Sequence, residues 1–238
     1  MNWTITRLTP ADAAQMRDVN QLFAEAFEEH YYKAKYNYCY CTKSSHFSHV
    51  LEEVLKNETH IETSSAFDIN IVESLFEKGK LTKENYIICN GFKRAQYIEN
   101  ITRIINDGFK NCIPIIDNYE ELNLLSEGVN SKMNVGIRIA SEEEPKFEFY
   151  TSRLGIGYKN ILKYYKNEIQ ENEKVSLKML HFFINTGIRD NAYYWNELTK
   201  CLKVYVELKK ICPTLDSLNI GGGFPIKNSL GFDYDYKY

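Results

Sequence analysis

The sequence has no apolar run long enough to cross a bilayer, no cluster of basic residues, and no cysteine pairs at metal-ligand spacing. Each absence removes a class of function. A membrane-spanning helix needs about 20 consecutive apolar residues, and the N-terminus carries Asp12 and Arg17 where a signal peptide has its apolar region. A cytoplasmic protein is expected. The 29 Lys and Arg and 32 Asp and Glu are interspersed, for a net charge of -3. No basic surface is available to attract nucleic acid or anionic lipid, and neither is expected as a partner. The six cysteines (Cys39, Cys41, Cys89, Cys112, Cys201, Cys212) lie mostly inside apolar segments. That suits reduced, buried thiols and no bound metal. Cys39 and Cys41, two apart, share one face of a strand and read as packing.

What is present is the balance of a soluble globular chain: 238 residues, 44% apolar and 26% charged, enough for one sizeable core in one domain or a domain with an appendage. A short apolar run, a polar loop and an amphipathic stretch follow one another repeatedly. Strands are expected over residues 36–41, 59–63, 86–89, 112–116, 135–140, 177–183 and 215–220. Helices are expected over 47–56, 67–78, 96–106, 119–125, 161–171 and 192–208. Strand followed by helix at nearly every step is the α/β class with a parallel sheet. The pattern alone does not separate a barrel from a doubly wound sheet. Two stretches break the rhythm. Residues 141–157, with the acidic Ser-Glu-Glu-Glu-Pro-Lys segment, are too polar and too long for an ordinary connection and read as a functional or exposed loop. Residues 2–29 are richer in Ala and poorer in Lys, Tyr and Asn than the rest, and Thr9-Pro10 opens a helix running to about Glu29. This shift divides the chain into 1–35 and 36–238.

Lys43 falls just past the strand at 36–41, at what becomes the C-terminal mouth of a parallel α/β fold, where such folds place catalytic groups. Flanked by Ser44 and Ser45, a lysine there can be desolvated and form an imine with an aldehyde cofactor. Taken by itself, a lysine near a strand end is far more often a solvated surface group. Gly221, Gly222 and Gly223 directly follow the strand at 215–220. Their backbone N–H groups can face one phosphate without side-chain obstruction, or they can form only a turn. The acidic residue and later glycine of a dinucleotide fingerprint are missing, as is the GK[ST] of a P-loop.

Six words along the chain are more specific together: Tyr40-Cys41-Thr42-Lys43, Ile61-Glu62-Thr63-Ser64-Ser65, Ile88-Cys89-Asn90-Gly91-Phe92-Lys93, Ile137-Arg138-Ile139-Ala140, Leu180-His181-Phe182-Phe183 and Ile220-Gly221-Gly222-Gly223-Phe224-Pro225. In this order and spacing, from about Tyr36 to Tyr238, the chain resembles the fold-type III pyridoxal-phosphate decarboxylases, and among them the biosynthetic arginine decarboxylases. The resemblance implies an alanine-racemase-like (β/α)8 barrel, pyridoxal phosphate as cofactor and an amino acid as substrate. The reaction it implies is arginine to agmatine, in a family whose members are homodimers. It implies Lys43 as the Schiff-base lysine, with Gly221, Gly222 and Gly223 at the cofactor phosphate. Glu62 matches an acidic residue near the ring and Arg138 a barrel arginine close by. A buried ion pair between these two would serve the ring or only brace the barrel. Thr186 stands where the family has a serine beside the phosphate and keeps a hydroxyl donor. Phe183 stands where these decarboxylases usually stack a histidine; its ring can stack but neither hydrogen-bonds nor titrates. His181 matches a different histidine of the arginine decarboxylases. Ordinary core readings of His181 and Phe183 stay open.

Two departures set further expectations. The family's eighth strand, with its glutamate for the pyridine nitrogen, and the later cysteine and aspartate that reach across a dimer interface have no counterpart after Gly223. An incomplete barrel of about seven strands with open edges is expected. The alternative to an active decarboxylase is then an inactive truncated or fused fragment that at most binds pyridoxal phosphate or a full-length partner. The segment 1–35 resembles the first strand and helix of an acetyltransferase of the aminoglycoside-modifying kind. No acetyl-CoA pyrophosphate loop follows it, and no acetyltransferase activity is expected.

Overall fold

A computed structural model describes residues 10–140, 154–184 and 191–222. Eight strands share one all-parallel sheet: β1 (Cys39–Cys41), β2 (His60–Thr63), β3 (Ile87–Cys89), β4 (Cys112–Ile116), β5 (Met133–Ala140), β6 (Ile156–Gly157), β7 (Val175–Phe182) and β8 (Ser217–Asn219). Their order is β1-β2-β3-β4-β5-β7-β8, with β6 paired to the end of β5. A sheet whose neighbours follow chain order winds in one direction, as a barrel does. A doubly wound sheet reverses at a switch point, and none occurs here. The result is an incomplete (β/α) barrel, and among the described residues β1 and β8 are its edges.

Helices α2 (Ser48–Leu55), α3 (Ala66–Glu77), α4 (Ala95–Asn106), α5 (Tyr119–Gly128), α6 (Ile161–Tyr164) and α7 (Asn191–Lys209) supply the covering layer, preceded by α1 (Pro10–Glu29), none of whose residues 16–29 is buried. In α4 the spacing of Tyr97, Ile98, Ile101, Ile104 and Ile105 puts all five on the buried face. Arg103 on the outer face makes a two-pronged contact with Glu73 of α3 (2.9 and 2.6 Å). Each fully buried isoleucine of this layer contributes about 1.5–3 kcal/mol of apolar transfer, so Ile101→Ala alone would cost about 2–5 kcal/mol. The Asn118 side chain accepts from the Glu120 and Glu121 backbone N–H groups (both 3.1 Å) and starts α5. The helix at the N-terminus begins at Pro10 as expected. Phe23 stacks on Tyr36 at 3.9 Å, and Arg17 donates to Asn57 Oδ1 at 2.7 Å, tying α1 to the approach to β1 and to the end of α2.

Strand alternation sorts the side chains into two layers. Ile61, Ile87, Val135, Ile137, Leu180 and Phe182 face the helices in the main core. Ile88, Ile113, Ile115 and Met179 form a separate cluster inside the barrel, with Cys39 packed against it. Gly136 is required there: a Cβ on it would lie 2.4 Å from Ile115 Cδ1, and β5 shifts register against β7 at this point. Toward the strands' C-terminal ends the inward positions become polar: Glu62, Arg138, His181 and Asn219.

Two local expectations are corrected. Residues 156–157, placed in the long polar loop, form β6, because Ile156 is buried in the core and pairs with Ile139; residues 141–153 lie outside the described set. The single helix expected over 161–171 is a 3-10 turn (Tyr158–Asn160), then α6, then a π-helical turn (Tyr165–Ile169). The wider turn, closed by Gln170 N–H to Tyr165 O at 2.9 Å, lets Ile161, Tyr164, Tyr165 and Ile169 all reach the core.

Candidate functional site at the C-terminal mouth of the barrel

The polar inward positions meet at the C-terminal end of the sheet, where successive strand-to-helix loops open. Thr42, fully buried, fixes the exit of β1: its N–H and Oγ1 both donate to Glu62 O, at 2.9 and 3.1 Å. Lys43, the next residue, stands exposed in the turn, and the Ser44 N–H closes that turn on Cys41 O at 3.0 Å. The lysine is therefore presented at the mouth and is not desolvated there.

Glu62 is half-buried on the inner face of β2. Asn90 Nδ2 donates to its Oε1 at 3.3 Å and Asn219 Nδ2 to its Oε2 at 3.4 Å. Burial pushes the Glu62 carboxyl above its ordinary range; the two amide donors, and the charges of Lys43 and Arg138, pull the other way. Asn90, just past β3, also lies 3.0 Å from His181 Nε2 on β7. Asn219 Oδ1 accepts the Gly221 N–H at 2.8 Å. One hydrogen-bonded chain thus joins β2, β3, β7 and β8 across the barrel interior. His181 is 1% exposed, and burial first, then the Arg138 charge, pushes it down to about 3, so the ring is neutral.

The expected Glu62 and Arg138 ion pair gives way to another arrangement. Arg138 Nε stands 3.9 Å from Asp117 Oδ1, and its guanidinium lies 5.5 Å from the centre of the Phe183 ring. Beneath it, Lys93 Nζ is 3.8 Å from Asp117 Oδ2 and 3.3 Å from Glu121 Oε2, and it also donates to Gly91 O (2.9 Å) and Ile115 O. Two buried cations and two buried carboxylates therefore form one cluster under the mouth. Burial pushes the Asp117 carboxyl up, against the pull of Lys93 and Arg138.

Gly221 has φ +70°, and a Cβ there would meet Phe182 O at 2.7 Å and Phe183 Cδ2 at 3.1 Å. Gly222 is exposed, with nothing within 4 Å of a Cβ position. Lys43, Glu62, Arg138, Phe183, Gly221 and Gly222 are thus all brought to one end of the sheet. Thr186 and Gly223 lie outside the described residues. Asn90, Lys93, Asp117 and Asn219 were missed in the sequence. Their one signal is shared: each is the polar residue that ends, or closely follows, an apolar strand run.

Polar side chains converging at the C-terminal mouth of a sequentially wound parallel sheet define a ligand-binding barrel domain. Residues 14–231 match the family described as the pyridoxal binding domain of pyridoxal-dependent decarboxylases, and the chain belongs to that family. The family's cofactor is pyridoxal phosphate. The match begins within α1, so it takes in part of the segment set apart by composition. The chain is 27% identical over 229 residues to the biosynthetic arginine decarboxylase of Prochlorococcus marinus (strain MIT 9215), covering 91% of this chain and 34% of that protein. It is 24% identical over 236 residues to that of Vibrio cholerae, covering 93% of this chain and 35% of that protein. It spans about a third of the length of these relatives. Among solved structures, diaminopimelate decarboxylase from M. jannaschii in complex with L-lysine superposes with a TM-score of 0.74 at 20% identity, over 93% of this chain and 52% of that one. Lysine decarboxylase from Selenomonas ruminantium gives 0.69 at 17% identity, over 98% and 61%. These two likenesses concern the fold. Among the described residues no helix is long and apolar enough to cross a membrane, and no cluster of His, Cys, Asp or Glu suits a metal ion.

Proposed function

We propose that this chain holds pyridoxal phosphate in the barrel mouth through Lys43 and serves the decarboxylation of a basic amino acid, arginine to agmatine. The observation that carries the reading is the gathering of an exposed amine (Lys43), a half-buried carboxyl (Glu62) and an open glycine turn (Gly221, Gly222), with Asn219 joining the last two. These groups fit the cofactor's chemistry: an amine for its aldehyde, and at Gly222 a backbone that no side chain obstructs. Once bound, the cofactor supplies an electron sink for the charge left on Cα as CO2 departs.

The chain's own residues do the rest. Lys43 anchors the cofactor covalently. Gly222 and, by resemblance, Gly223 and Thr186 take its phosphate, while Gly221 shapes the turn because its N–H is already given to Asn219. Glu62 sets a negative charge beside the ring, and Phe183 offers a face to stack on, held against Arg138. Arginine as substrate, and a second copy of the chain as partner, rest on likeness to the arginine decarboxylases. The test is incubation with pyridoxal phosphate, borohydride reduction and peptide mapping, with agmatine release from L-arginine measured alongside ornithine, lysine and diaminopimelate. A pyridoxyl group on Lys43 that disappears in Lys43→Ala is expected; labelling elsewhere, or none, refutes the anchor.

A further inference from the structure

His181 occupies the inner face of β7, in register with Arg138 on β5 and Asn219 on β8. Its protonation pattern follows from its neighbours. Asn90 Oδ1 accepts the Gly91 N–H at 2.9 Å, which fixes the orientation of the Asn90 amide. The Gly91 backbone is itself held, with φ +79° and a virtual Cβ 3.3 Å from Ser64 O. Asn90 Nδ2 must then direct its two hydrogens at Glu62 Oε1 (3.3 Å) and His181 Nε2 (3.0 Å). An amide nitrogen offers no acceptor, so Nε2 accepts and the ring proton sits on Nδ1. Among the described residues Nδ1 has no hydrogen-bond partner, in a side chain that is 1% exposed. Asn219 acts on the ring as a hydrogen-bonding neighbour that favours its protonation, but its Oδ1 is engaged by the Gly221 N–H and its approach to Nδ1 falls short of hydrogen-bond geometry. Buried donors without an acceptor are rare in native proteins and are met where a ligand or water completes them.

We propose that His181 is held as the neutral Nδ1–H tautomer and donates that hydrogen to an anionic oxygen of the ligand in the mouth, fixing the ligand's orientation. The class of acceptor follows from the donor: a hydrogen bond from Nδ1–H to an oxyanion is charge-assisted and stronger than one to a neutral carbonyl, and the cluster of Arg138 and Lys93 with Asp117 and Glu121 is balanced in charge. Two sources share that chemistry, an anionic oxygen of the cofactor and the carboxylate of the amino acid. The inference rests on the mouth being the ligand site proposed above. Neutral imidazole suits the role, because burial keeps the ring uncharged at pH 7 while a donor is retained.

Ring nitrogen resonances of 15N-histidine-labelled protein, assigned with His181→Asn, read the tautomer without any ligand. The expected pattern is a neutral ring protonated at Nδ1, with the Nδ1–H signal moving downfield on saturation with pyridoxal phosphate or with L-arginine. A response to pyridoxal phosphate places the acceptor on the cofactor; a response to L-arginine alone places it on the substrate. In parallel, His181→Asn sets an amide near the Nδ1 position and keeps affinity for the responding ligand within about 3-fold, whereas His181→Gln sets its amide near Nε2 and loses about 10-fold or more. Circular dichroism confirms that both variants fold. An Nε2–H tautomer overturns the inference, as does an Nδ1 signal unmoved by either ligand. No adduct on Lys43 together with a response to L-arginine sinks the cofactor reading alone.

Discussion

Asn219 at the end of β8 donates to Glu62 on β2 at 3.4 Å, reaching across the mouth between strands at opposite sides of the sheet. The same side chain accepts the Gly221 N–H at 2.8 Å. The carboxyl that would face the cofactor ring and the turn that would approach its phosphate are therefore set by a single amide.

Replacing that amide separates its two duties. Asn219→Ala leaves the Gly221 N–H without its acceptor and Glu62 with one donor fewer, an expected loss of about 1–3 kcal/mol in urea unfolding. Asn219→Asp keeps the acceptor but turns the donor into a second carboxylate against Glu62. Two carboxylates at this distance raise each other's proton affinity, so stability is present at low pH and lost as pH rises. Asn219→Asp should fall further below wild type at pH 8 than at pH 5; equal deficits at both would mean that Glu62 does not feel this position.

His181 gives a second pH signature. With the folded value pushed down to about 3 from the ordinary 6.5, the folded chain binds fewer protons than the unfolded chain between those limits. Its contribution is whole above that window and is lost as pH falls through it, by up to about 1.4 kcal/mol per pH unit. Glu62 and Asp117, both pushed upward by burial, act with the opposite sign, and their share is lost as pH rises through their folded values. Subtracting the unfolding free energy of His181→Asn from that of wild type isolates the histidine. The difference should shrink from pH 7 to pH 4; a constant difference would show that the ring charges as easily folded as unfolded.

How much of this was legible in the sequence depended on direction. All seven expected strands are present, and β4 (Cys112–Ile116) matches its expected bounds, because a parallel strand covered on both faces is apolar at every position. β6 escaped because two residues, Ile156–Gly157, carry no periodicity. Lys43, Glu62 and Gly221 could be picked out by neighbouring words. The partner of Arg138 could not: Glu62 and Asp117 are both acids near strand ends, and only strand register and the β4-to-α5 turn decide which lies close. Asn90 fell just past the expected strand at 86–89 and Asn219 inside the expected strand at 215–220, and neither stood out, since nothing in one strand says what faces it across a barrel.

Asp117 tests that buried cluster. Among the described residues both its carboxylate oxygens lack hydrogen-bond partners; Oδ2 stands 3.8 Å from Lys93 Nζ and Oδ1 3.9 Å from Arg138 Nε. Asp117→Asn keeps the shape and removes the charge, leaving two buried cations with Glu121. Breaking a buried pair costs about 3–5 kcal/mol, and the guanidinium should lose its hold against Phe183. Thermal unfolding reads the first effect, and a changed ring environment for Phe183 in 13C-phenylalanine spectra reads the second. A loss below about 1 kcal/mol would mean that water already screens the site.

The glycine turn makes the sharpest contrast, because two adjacent residues of one type are expected to behave differently. Gly221 combines φ +70° with a would-be Cβ only 2.7 Å from the Phe182 carbonyl oxygen, a backbone atom that cannot swing away. Gly221→Ala is then strained in both conformation and contact, at about 1–3 kcal/mol. Displacing the Phe183 ring, whose Cδ2 lies 3.1 Å from the same point, relieves only the lesser contact. Gly222→Ala has open space and no left-handed backbone, so its stability should stay within about 0.5 kcal/mol of wild type. Its effect should appear in the yield of borohydride-reduced Lys43 adduct at limiting pyridoxal phosphate, because the new methyl group stands where the phosphate would approach. Equal stability losses at the two positions would show that the turn yields as a unit. An unchanged adduct yield in Gly222→Ala would move the phosphate away from this backbone.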